Sequence, residues 1–271
     1  MAVASCRAGD TEVGSVIGQH LQFSTSEIMV PRLGLIALQS DESIERDMRR
    51  LVPMDVDLMV SRVRSGENVS SDSLSAMEAD LATAAGLFPR GVVFDALAYG
   101  CTSGTAQIGA DRVASQIRRG TEARHVTQPL SALIAGCRHL GIRRLALLSP
   151  YVAPVSSRLQ QVIASSGIET PVFGSFNVCQ EATVVRITPE SVCEAAASLM
   201  EGAEVDGLFL SCTNLRVLDV IEPLEAQLGK PVLTSNQVLA WQMLELAGVA
   251  ASLSAPGQLF SRHRSPSVAA Q

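Results

Sequence analysis

The chain has 271 residues, of which 47% are hydrophobic and 18% are charged, a composition typical of a soluble globular protein with one large domain or two lobes. The formal net charge of −6 argues against a general binder of nucleic acids or membrane surfaces, because such proteins carry a basic patch. No apolar stretch approaches the roughly 18 residues that span a bilayer.

Short apolar runs alternate along the chain with amphipathic stretches. Residues 1–30 contain Asp10, Glu12 and Glu27 and no long apolar core, so we expect a flexible leader and no secretory signal. The apolar runs predict strands over 33–38, 56–60, 92–99, 125–127, 145–149, 172–176, 207–211 and 232–234. The amphipathic stretches predict helices over 43–51, 74–86, 104–119, 130–140, 156–166, 189–201 and 238–247. We expect residues 251–271 to form a flexible tail.

Two pairs of matching segments indicate an internal repeat. "DALAYGCT" (95–102) matches "DGLFLSCT" (206–213), and "RLGLIAL" (32–38) resembles "RLALLSP" (144–150), at the nearly equal offsets of 111 and 112 residues. Strands that alternate with helices favour parallel sheets covered by helices. The predicted fold is therefore α/β, with two similar lobes related by pseudo-two-fold symmetry, each a four-stranded parallel sheet flanked by helices.

The repeat also predicts where the lobes and the active site lie. We expect a first lobe over 31–128, joined by a closing helix over 237–250, and a second lobe over 129–236. Ligands of open parallel sheets bind beyond the carboxyl ends of the strands. Pseudo-two-fold symmetry would therefore bring Cys101 and Cys212, each at the end of a third strand, to face each other across one cleft between the lobes.

Cys101 and Cys212 are each followed by residue types that commonly cap helices. The positive end of a helix favours a thiolate, so we expect at least one thiol pKa to be lowered. Two thiols on opposite faces of a carbon can serve as the base and the acid of a cofactor-independent racemase or isomerase. Alternatively, one thiolate adds to an unsaturated carbon and the other thiol delivers a proton. One cysteine at a strand end is usually a core residue, but the equivalent second cysteine favours the functional interpretation.

The other reactive residue types have simpler interpretations. We interpret Cys137 and Cys193 as packing residues and His125 as a surface or partly buried histidine. Six cysteines without a CxxC pair or zinc-like spacing predict reduced thiols, a cytoplasmic protein and no metal site. The single lysine, Lys230, lies in a predicted turn, which argues against a pyridoxal phosphate enzyme. Nucleotide-binding glycine motifs are also absent from the sequence, so we expect no cofactor.

Several motifs resemble the aspartate/glutamate racemase superfamily: "LGLIALQSDESIERD", "AYGCTSGT", "LSPY", "LSCTNLR" and "GKPVLTSNQ". Within it, the sequence is most similar to the branch of maleate cis-trans isomerases and arylmalonate decarboxylases, and there to the ectoine-utilization A group. The resemblance covers residues 33–248. It implies the two-lobed fold, no cofactor and a small carboxylate as substrate. We also expect a homo-oligomer, either a dimer or a tetramer, without nucleic-acid or membrane partners.

The resemblance implies roles for individual residues as well. Maleate isomerases use two cysteines and the decarboxylases keep only the second, so the presence of both here favours an isomerase or racemase. The family's contacts to the substrate carboxylate and to the oxyanion correspond to Thr102, Ser103 and Thr213, and its tyrosine corresponds to Tyr151.

Two acidic residues depart from the family pattern. Asp41 corresponds to an asparagine that touches a substrate carboxylate in the maleate isomerases, and Glu181 lies near the position of a second asparagine. An aspartate about 4 Å from a carboxylate would cost about 4 kcal/mol at an effective dielectric constant near 20, so Asp41 favours an ammonium or amidinium group instead. In a simpler interpretation, Asp41 only caps the helix that begins near Ser43.

These features together favour a cofactor-independent racemase or epimerase of a small amino-carboxylate in ectoine or hydroxyectoine degradation. Two alternatives from other classes stay open. The first is a maleate-type cis-trans isomerase or a decarboxylase of a small carboxylic acid. The second is a catalytically idle protein that binds ectoine-related metabolites.

Overall fold

The computed structural model describes residues 21–26, 30–252 and 254–263, so most of the predicted leader lies outside the described residues. The first half of the chain contains β1 (Arg32–Leu38), α1 (Ile44–Leu51), β2 (Asp57–Val63), α2 (Ser71–Ala76), α3 (Glu78–Ala85), β3 (Val93–Gly100), α4 (Thr102–Ile108), α5 (Ala110–Gly120) and β4 (Glu122–Thr127). The second half contains α6 (Pro129–Leu140), β5 (Arg144–Ser149), α7 (Ala153–Ser165), β6 (Glu169–Ser175), α8 (Glu181–Val184), α9 (Pro189–Met200), β7 (Gly207–Leu210), a 3-10 turn (Leu218–Val220), α10 (Ile221–Leu228), β8 (Val232–Thr234), α11 (Ser235–Ala247) and α12 (Gln258–His263).

The strands form two four-stranded sheets with the same topology. The first sheet has the order β2-β1-β3-β4 and the second has the order β6-β5-β7-β8. All neighbouring strands in both sheets are parallel. The equal order confirms the predicted α/β fold of two similar lobes. The central strands β1, β3, β5 and β7 are almost fully buried, as expected for apolar runs covered by helices on both faces.

The aspartates of the repeated motif have the same structural role in both lobes. Asp95 Oδ2 accepts a hydrogen bond from the backbone N–H of Arg32, at the start of β1. Asp206 Oδ2 accepts hydrogen bonds from the backbone N–H groups of Arg143 and Arg144, at the start of β5. Each aspartate therefore joins two neighbouring strands at the amino-terminal edge of its sheet, opposite the edge that carries the cysteines.

Two predicted helices are each divided in the structure. Met77 separates α2 from α3, and Gly109 separates α4 from α5. Gly109 has φ 97° and ψ 139°, a conformation that is accessible to glycine and strained for other residues. The helix predicted from residue 104 begins earlier, at Thr102, because Cys101 acts as its N-cap and accepts a hydrogen bond from the N–H of Gly104.

The segment after β8 covers the first sheet. Helix α11 packs against β3, β4, α1 and α6. The prediction of a flexible tail over 251–271 was wrong for its first part, because α12 is helical and its Leu259 and Phe260 are fully buried in the core. Across the described ranges, no helix has the length and apolarity needed to cross a bilayer.

Candidate active site

The carboxyl ends of β3 and β7 meet, and the cysteine that follows each strand is buried there. Cys101 is 2% exposed and Cys212 is 4% exposed. Thr213 Oγ1 donates a hydrogen bond to the carbonyl oxygen of Gly100 across 3.2 Å, so the two Cys-Thr segments are in direct contact. The structure thus brings together the two thiols that the repeat places at equivalent positions.

Cys101 lies at the N-terminus of α4, as predicted, but its pKa is not lowered. Its Sγ accepts a hydrogen bond from the Gly104 N–H at 3.1 Å and lies 3.7 Å from Ser103 Oγ, and both contacts favour the thiolate. Burial outweighs them, and together with the negative charge of Glu181 it raises the pKa of Cys101 to about 12. The expectation of a lowered thiol pKa was therefore wrong for Cys101 in this closed site.

Cys212 has an unusual backbone conformation, with φ at 131°. Such a conformation costs about 1–3 kcal/mol in a residue other than glycine and commonly marks a functional site. Burial raises the pKa of Cys212 well above its ordinary value, and the charge of Glu181 raises it further, whereas the Tyr151 hydroxyl and the Asn214 N–H lower it. Both thiols are therefore protonated at neutral pH in the structure as it stands.

The four residues expected to bind a carboxylate or an oxyanion are all buried at this site: Thr102, Ser103, Tyr151 and Thr213. Thr102 and Thr213 were expected to contact the substrate, but in the structure their hydroxyl groups make hydrogen bonds between the lobes. Thr213 donates to Gly100, and Thr102 Oγ1 donates to Ser235 Oγ at 2.8 Å. The Ser103 hydroxyl and the Tyr151 hydroxyl lie instead beside the two sulfur atoms.

Asp41 is 3% exposed and its two carboxylate oxygens have different surroundings. Oδ1 accepts hydrogen bonds from the backbone N–H groups of Ser43 and Ile44, each at 2.8 Å, so the helix-capping interpretation accounts for this oxygen. Oδ2 is buried and has no hydrogen-bond partner among the described residues. Burial raises the pKa of Asp41, while hydrogen bonds from the Ile44 and Ser43 N–H groups and from the Thr213 side chain, together with the Arg62 charge, partly offset this effect. The Thr213 side chain therefore lies beside the carboxylate, although Oδ2 makes no hydrogen bond of ordinary geometry with the described residues.

Glu181 is the second buried carboxylate of the site, with 7% exposure. Its Oε2 accepts a hydrogen bond from Asn214 Nδ2 at 2.9 Å, and Asn214 Oδ1 accepts one from the N–H of Glu42 at 2.9 Å. Burial raises the pKa of Glu181, and the charge of Asp41 raises it further. The site consequently combines two thiols with two carboxylates that repel each other.

Two loops from different lobes pair with each other next to Glu181. The Val69 N–H donates to the Cys179 carbonyl oxygen at 2.6 Å, and the Glu181 N–H donates to the Glu67 carbonyl oxygen at 3.0 Å. An antiparallel bridge between Asn68 and Gln180 lies between these two bonds. This pairing holds Glu181, whose charge acts on both thiols, in place.

Sequence reasoning missed Asp47, which accepts a hydrogen bond from Asn236, and four polar residues beside the thiols or the Cys-Thr segments: Tyr99, Asn214, Ser235 and Asn236. The last two follow β8, so the rule that ligands lie beyond the carboxyl ends of strands was the available signal. His125, by contrast, is exposed on β4, and Cys137 is buried in α6, in line with their simpler interpretations. Among the described residues, no three histidine, cysteine, aspartate or glutamate side chains are grouped so as to hold a metal ion.

Comparison with known proteins identifies relatives that cover nearly the whole chain. The maleate isomerase of Nocardia farcinica is 26% identical over 244 residues, which are 85% of this chain and 95% of that protein. The arylmalonate decarboxylase of Bordetella bronchiseptica is 31% identical over a shorter stretch of 119 residues, which are 44% of this chain and 50% of that protein.

Solved structures of such enzymes share the fold. A maleate isomerase variant from Pseudomonas putida S16 with maleate superposes with a TM-score of 0.78 at 24% identity, covering 86% of this chain and 98% of that one. A cysteine-to-serine variant of the Nocardia farcinica maleate cis-trans isomerase, with a covalently bound succinylcysteine intermediate, superposes with a TM-score of 0.74 at 25% identity, covering 87% of this chain and 100% of that one.

The family profile named arylmalonate decarboxylase matches residues 80–260, which include both cysteines. The profile covers more than half of the chain, and the Nocardia farcinica relative extends the likeness to 85% of it. The protein therefore belongs to the arylmalonate decarboxylase family, as a cysteine-based enzyme of the maleate isomerase and arylmalonate decarboxylase type.

Proposed function

We propose that the protein is a cofactor-independent racemase or epimerase of a small amino-carboxylate, in which Cys101 and Cys212 act on one carbon from opposite faces. The single observation that carries this proposal is the direct contact between the two Cys-Thr segments, with both thiols buried at the same place. One thiolate removes the α-proton, and the other thiol donates its proton to the opposite face, so that the two cysteines exchange roles after each turnover.

The N-terminus of α4 offers hydrogen-bond donors for the carboxylate and for the negative oxygen that develops as the proton leaves. The N–H groups of Thr102 and Ser103 are the first two of the helix, where no intrahelical acceptor is available. The Ser103 and Tyr151 hydroxyls lie beside the sulfur atoms and can donate to the same oxygen atoms. Such fixed donors stabilise the transition state because they are already oriented. Thr102 and Thr213 support this arrangement through their contacts between the lobes.

Asp41 and Glu181 favour a substrate that also carries a positive charge. Asp41 Oδ2, which makes no hydrogen bond of ordinary geometry, can accept one from an ammonium or amidinium group, and the charge of Glu181 acts on both thiols from the same site. A bound cation would offset both carboxylates and would lower the pKa of each thiol. Binding of the correct substrate would thus help to form the thiolate that removes its α-proton.

A cyclic amidine with one carboxylate, such as ectoine, and the diamino acids formed by opening its ring have this combination of charges. We therefore place the reaction in ectoine or hydroxyectoine degradation. A dicarboxylate such as maleate would bring a second negative charge towards Asp41 and Glu181, which Coulomb's law disfavours.

The second candidate is cis-trans isomerisation of an unsaturated acid by covalent addition of one thiolate. The succinylcysteine intermediate in the Nocardia farcinica relative favours it. In this reaction the thiolate forms a carbon–sulfur bond to one alkene carbon, the π electrons move to the neighbouring carbon as an enolate, and the other thiol protonates that carbon. After rotation about the resulting single bond, removal of this proton and departure of the sulfur as thiolate restore the double bond. Decarboxylation by one cysteine is a variant of the same site chemistry, in keeping with the relative from Bordetella bronchiseptica.

Deuterium incorporation in D₂O tests the proposal. The enzyme is incubated with ectoine, hydroxyectoine and their ring-opened diamino acids, and proton NMR follows the α-proton. Loss of the α-proton signal with formation of the other stereoisomer supports racemisation. A stable thioether mass on either cysteine after incubation with maleate supports the second candidate instead. Binding of these compounds with neither result would make the protein a metabolite binder, and the proposal would be wrong.

A further inference from the structure

We propose that Ser235 is a positioning residue that fixes both thiols at once, because its hydroxyl group binds the first and the second Cys-Thr segment together. This inference deepens the two-thiol function proposed above and rests on it. Ser235 is the first residue of α11 and is fully buried.

Ser235 Oγ lies between the two lobes. It accepts a hydrogen bond from the backbone N–H of Cys212 at 3.0 Å and another from Thr102 Oγ1 at 2.8 Å. A hydroxyl oxygen has two acceptor lone pairs, so these two bonds use its full acceptor capacity. The position of the Cys212 N–H is therefore linked, through this one oxygen, to the position of the Thr102 hydroxyl.

Helix capping does not account for the serine. A serine at a helix start usually caps the helix, but here Thr234 is the N-cap: its Oγ1 accepts from the Gln237 N–H and its own N–H donates to Gln237 Oε1, each at 3.3 Å. The hydroxyl of Ser235 is thus directed away from its own helix and towards the Cys-Thr segments.

Both bonds act on parts of the chain that determine where a sulfur atom lies. The backbone of Cys212 has the strained φ of 131°, and Ser235 holds the N–H of this residue. On the other side, Thr102 begins α4, whose Gly104 N–H contacts the sulfur of Cys101. Without the hydroxyl of Ser235, we expect the Cys212 backbone to relax and the first turn of α4 to loosen, so that both sulfur atoms lose donors that favour the thiolate.

Alkylation by iodoacetamide, followed for each cysteine by peptide mass spectrometry over a pH series, tests this without any substrate. In Ser235→Ala, we expect the alkylation profiles of both Cys101 and Cys212 to move to higher pH. At a fixed alkaline pH both rates should fall about threefold or more, which corresponds to roughly half a pKa unit. Ser61→Ala is the matched control, because it also removes a buried hydroxyl, which donates to the Ala84 carbonyl oxygen. It should leave both profiles unchanged.

A second pair of variants, at Thr102 in the first lobe, tests whether the hydrogen bond to Ser235 affects Cys212 in the second lobe. This test remains decisive even where Ser235→Ala does not fold. Thr102→Val removes the donor to Ser235 with little change in shape, whereas Thr102→Ser keeps a hydroxyl. We expect the valine variant to shift the profile of Cys212, which belongs to the other lobe, and the serine variant to retain the wild-type profile.

The proposal is wrong if Ser235→Ala affects Cys212 alone, or if Thr102→Val leaves Cys212 unchanged. A failure of the proposed function has a different signature. In that case the deuterium exchange assay finds no turnover, while the alkylation profiles of the two thiols still shift together.

Discussion

Thr213 donates a hydrogen bond from Oγ1 to the carbonyl oxygen of Gly100, across 3.2 Å and between the two lobes. The donor directly follows Cys212 and the acceptor directly precedes Cys101. This one contact therefore aligns the ends of β3 and β7. Chemistry that uses two thiols on one carbon depends on this alignment.

Replacement of either thiol should separate the two half-reactions. We expect Cys101→Ser and Cys212→Ser each to slow racemisation at least about 10²-fold, because a positioned acid or base contributes roughly 10² to 10⁴ in rate. Each variant retains one thiol, so each should still exchange the α-proton of one stereoisomer, and the two should differ in which one. Proton NMR in D₂O measures both. Cys193→Ser, at a half-buried thiol of α9, is the control and should turn over like the wild type. Equal exchange of both stereoisomers by each variant would contradict an arrangement on opposite faces.

Asp41→Asn should change which ligands bind. The asparagine oxygen can still accept from the N–H groups of Ser43 and Ile44, so the cap of α1 should survive. Loss of the charge should lower kcat/KM for an amino-carboxylate about tenfold or more, since a close charge pair contributes up to about 4 kcal/mol at an effective dielectric constant of 20. Maleate should bind more tightly, as measured by calorimetry.

Glu42→Gln is the matched control for Asp41→Asn, because it removes a neighbouring charge that is exposed to solvent. Glu42→Gln should leave kcat/KM for the amino-carboxylate and the affinity for maleate nearly unchanged. If the two variants had the same effect on kcat/KM, a direct contact between Asp41 and the substrate cation would be ruled out.

Glu181→Gln should make both thiols more acidic. The Glu181 charge raises the pKa of Cys101 and of Cys212, and glutamine keeps an acceptor for Asn214 without that charge. The alkylation profile of each cysteine should therefore move to lower pH, while turnover of a cationic substrate falls. Glu67→Gln, at an exposed residue of the loop that pairs with the Glu181 segment, should move neither profile. Unchanged profiles in Glu181→Gln would show that this carboxylate does not act on the thiols.

Asp47 should make the protein less stable as the pH rises. Burial raises its pKa from 3.8 to about 6, so the folded protein holds the proton more tightly than the unfolded chain does. The stability that protonation contributes is complete below about pH 4 and is lost as the pH rises through about 6. Asp47→Asn should avoid this loss. Its free energy of unfolding, measured with urea, should exceed that of the wild type by an amount that grows to about 3 kcal/mol as the pH rises from about 4 to about 6.

Asp219→Asn is the control for the pH series, because the Arg50 guanidinium lowers the pKa of this exposed carboxylate. The free energy of unfolding of Asp219→Asn should not rise above that of the wild type at any pH in the series. Parallel pH dependence of the wild type and Asp47→Asn would contradict the role assigned to the buried carboxyl group.

A side chain at Gly109 should destabilise the protein through the backbone conformation of this residue, not through a steric clash. A Cβ atom at this position would meet no atom within 4 Å, but the φ of 97° is strained for alanine. Gly109→Ala should therefore lower the free energy of unfolding by about 1–3 kcal/mol. Gly136→Ala in α6, where a Cβ would make an ordinary contact of 3.5 Å with Leu259, should be neutral or stabilising by up to about 1 kcal/mol. Equal effects of the two substitutions in thermal unfolding would refute this explanation.

The sequence predicted the central strands β1, β3, β5 and β7 well, because buried parallel strands are continuous apolar runs that need no distant information. The strands β2, β4 and β6 were each predicted three residues too short at one end, because their exposed residues interrupt the apolar run. The two short helices α8 and α10 were not predicted. Both lie between strands whose packing decides their conformation, and α8 has a single turn. The helix α12 was placed in a flexible tail, because six residues carry no clear helical period, although the core buries Leu259 and Phe260.

The sequence by itself determined the repeat, and with it the two equivalent cysteines, because matched motifs at one offset require similar lobes. Only the tertiary structure decided the ionisation of these thiols. A helix N-terminus is visible in the local sequence and favours the thiolate, but burial depends on every element that surrounds the sulfur, and here it dominates. The tertiary structure also decided that Asp41 Oδ2 is buried without a hydrogen bond of ordinary geometry and that Ser235 joins the lobes, since both depend on residues far apart in the chain.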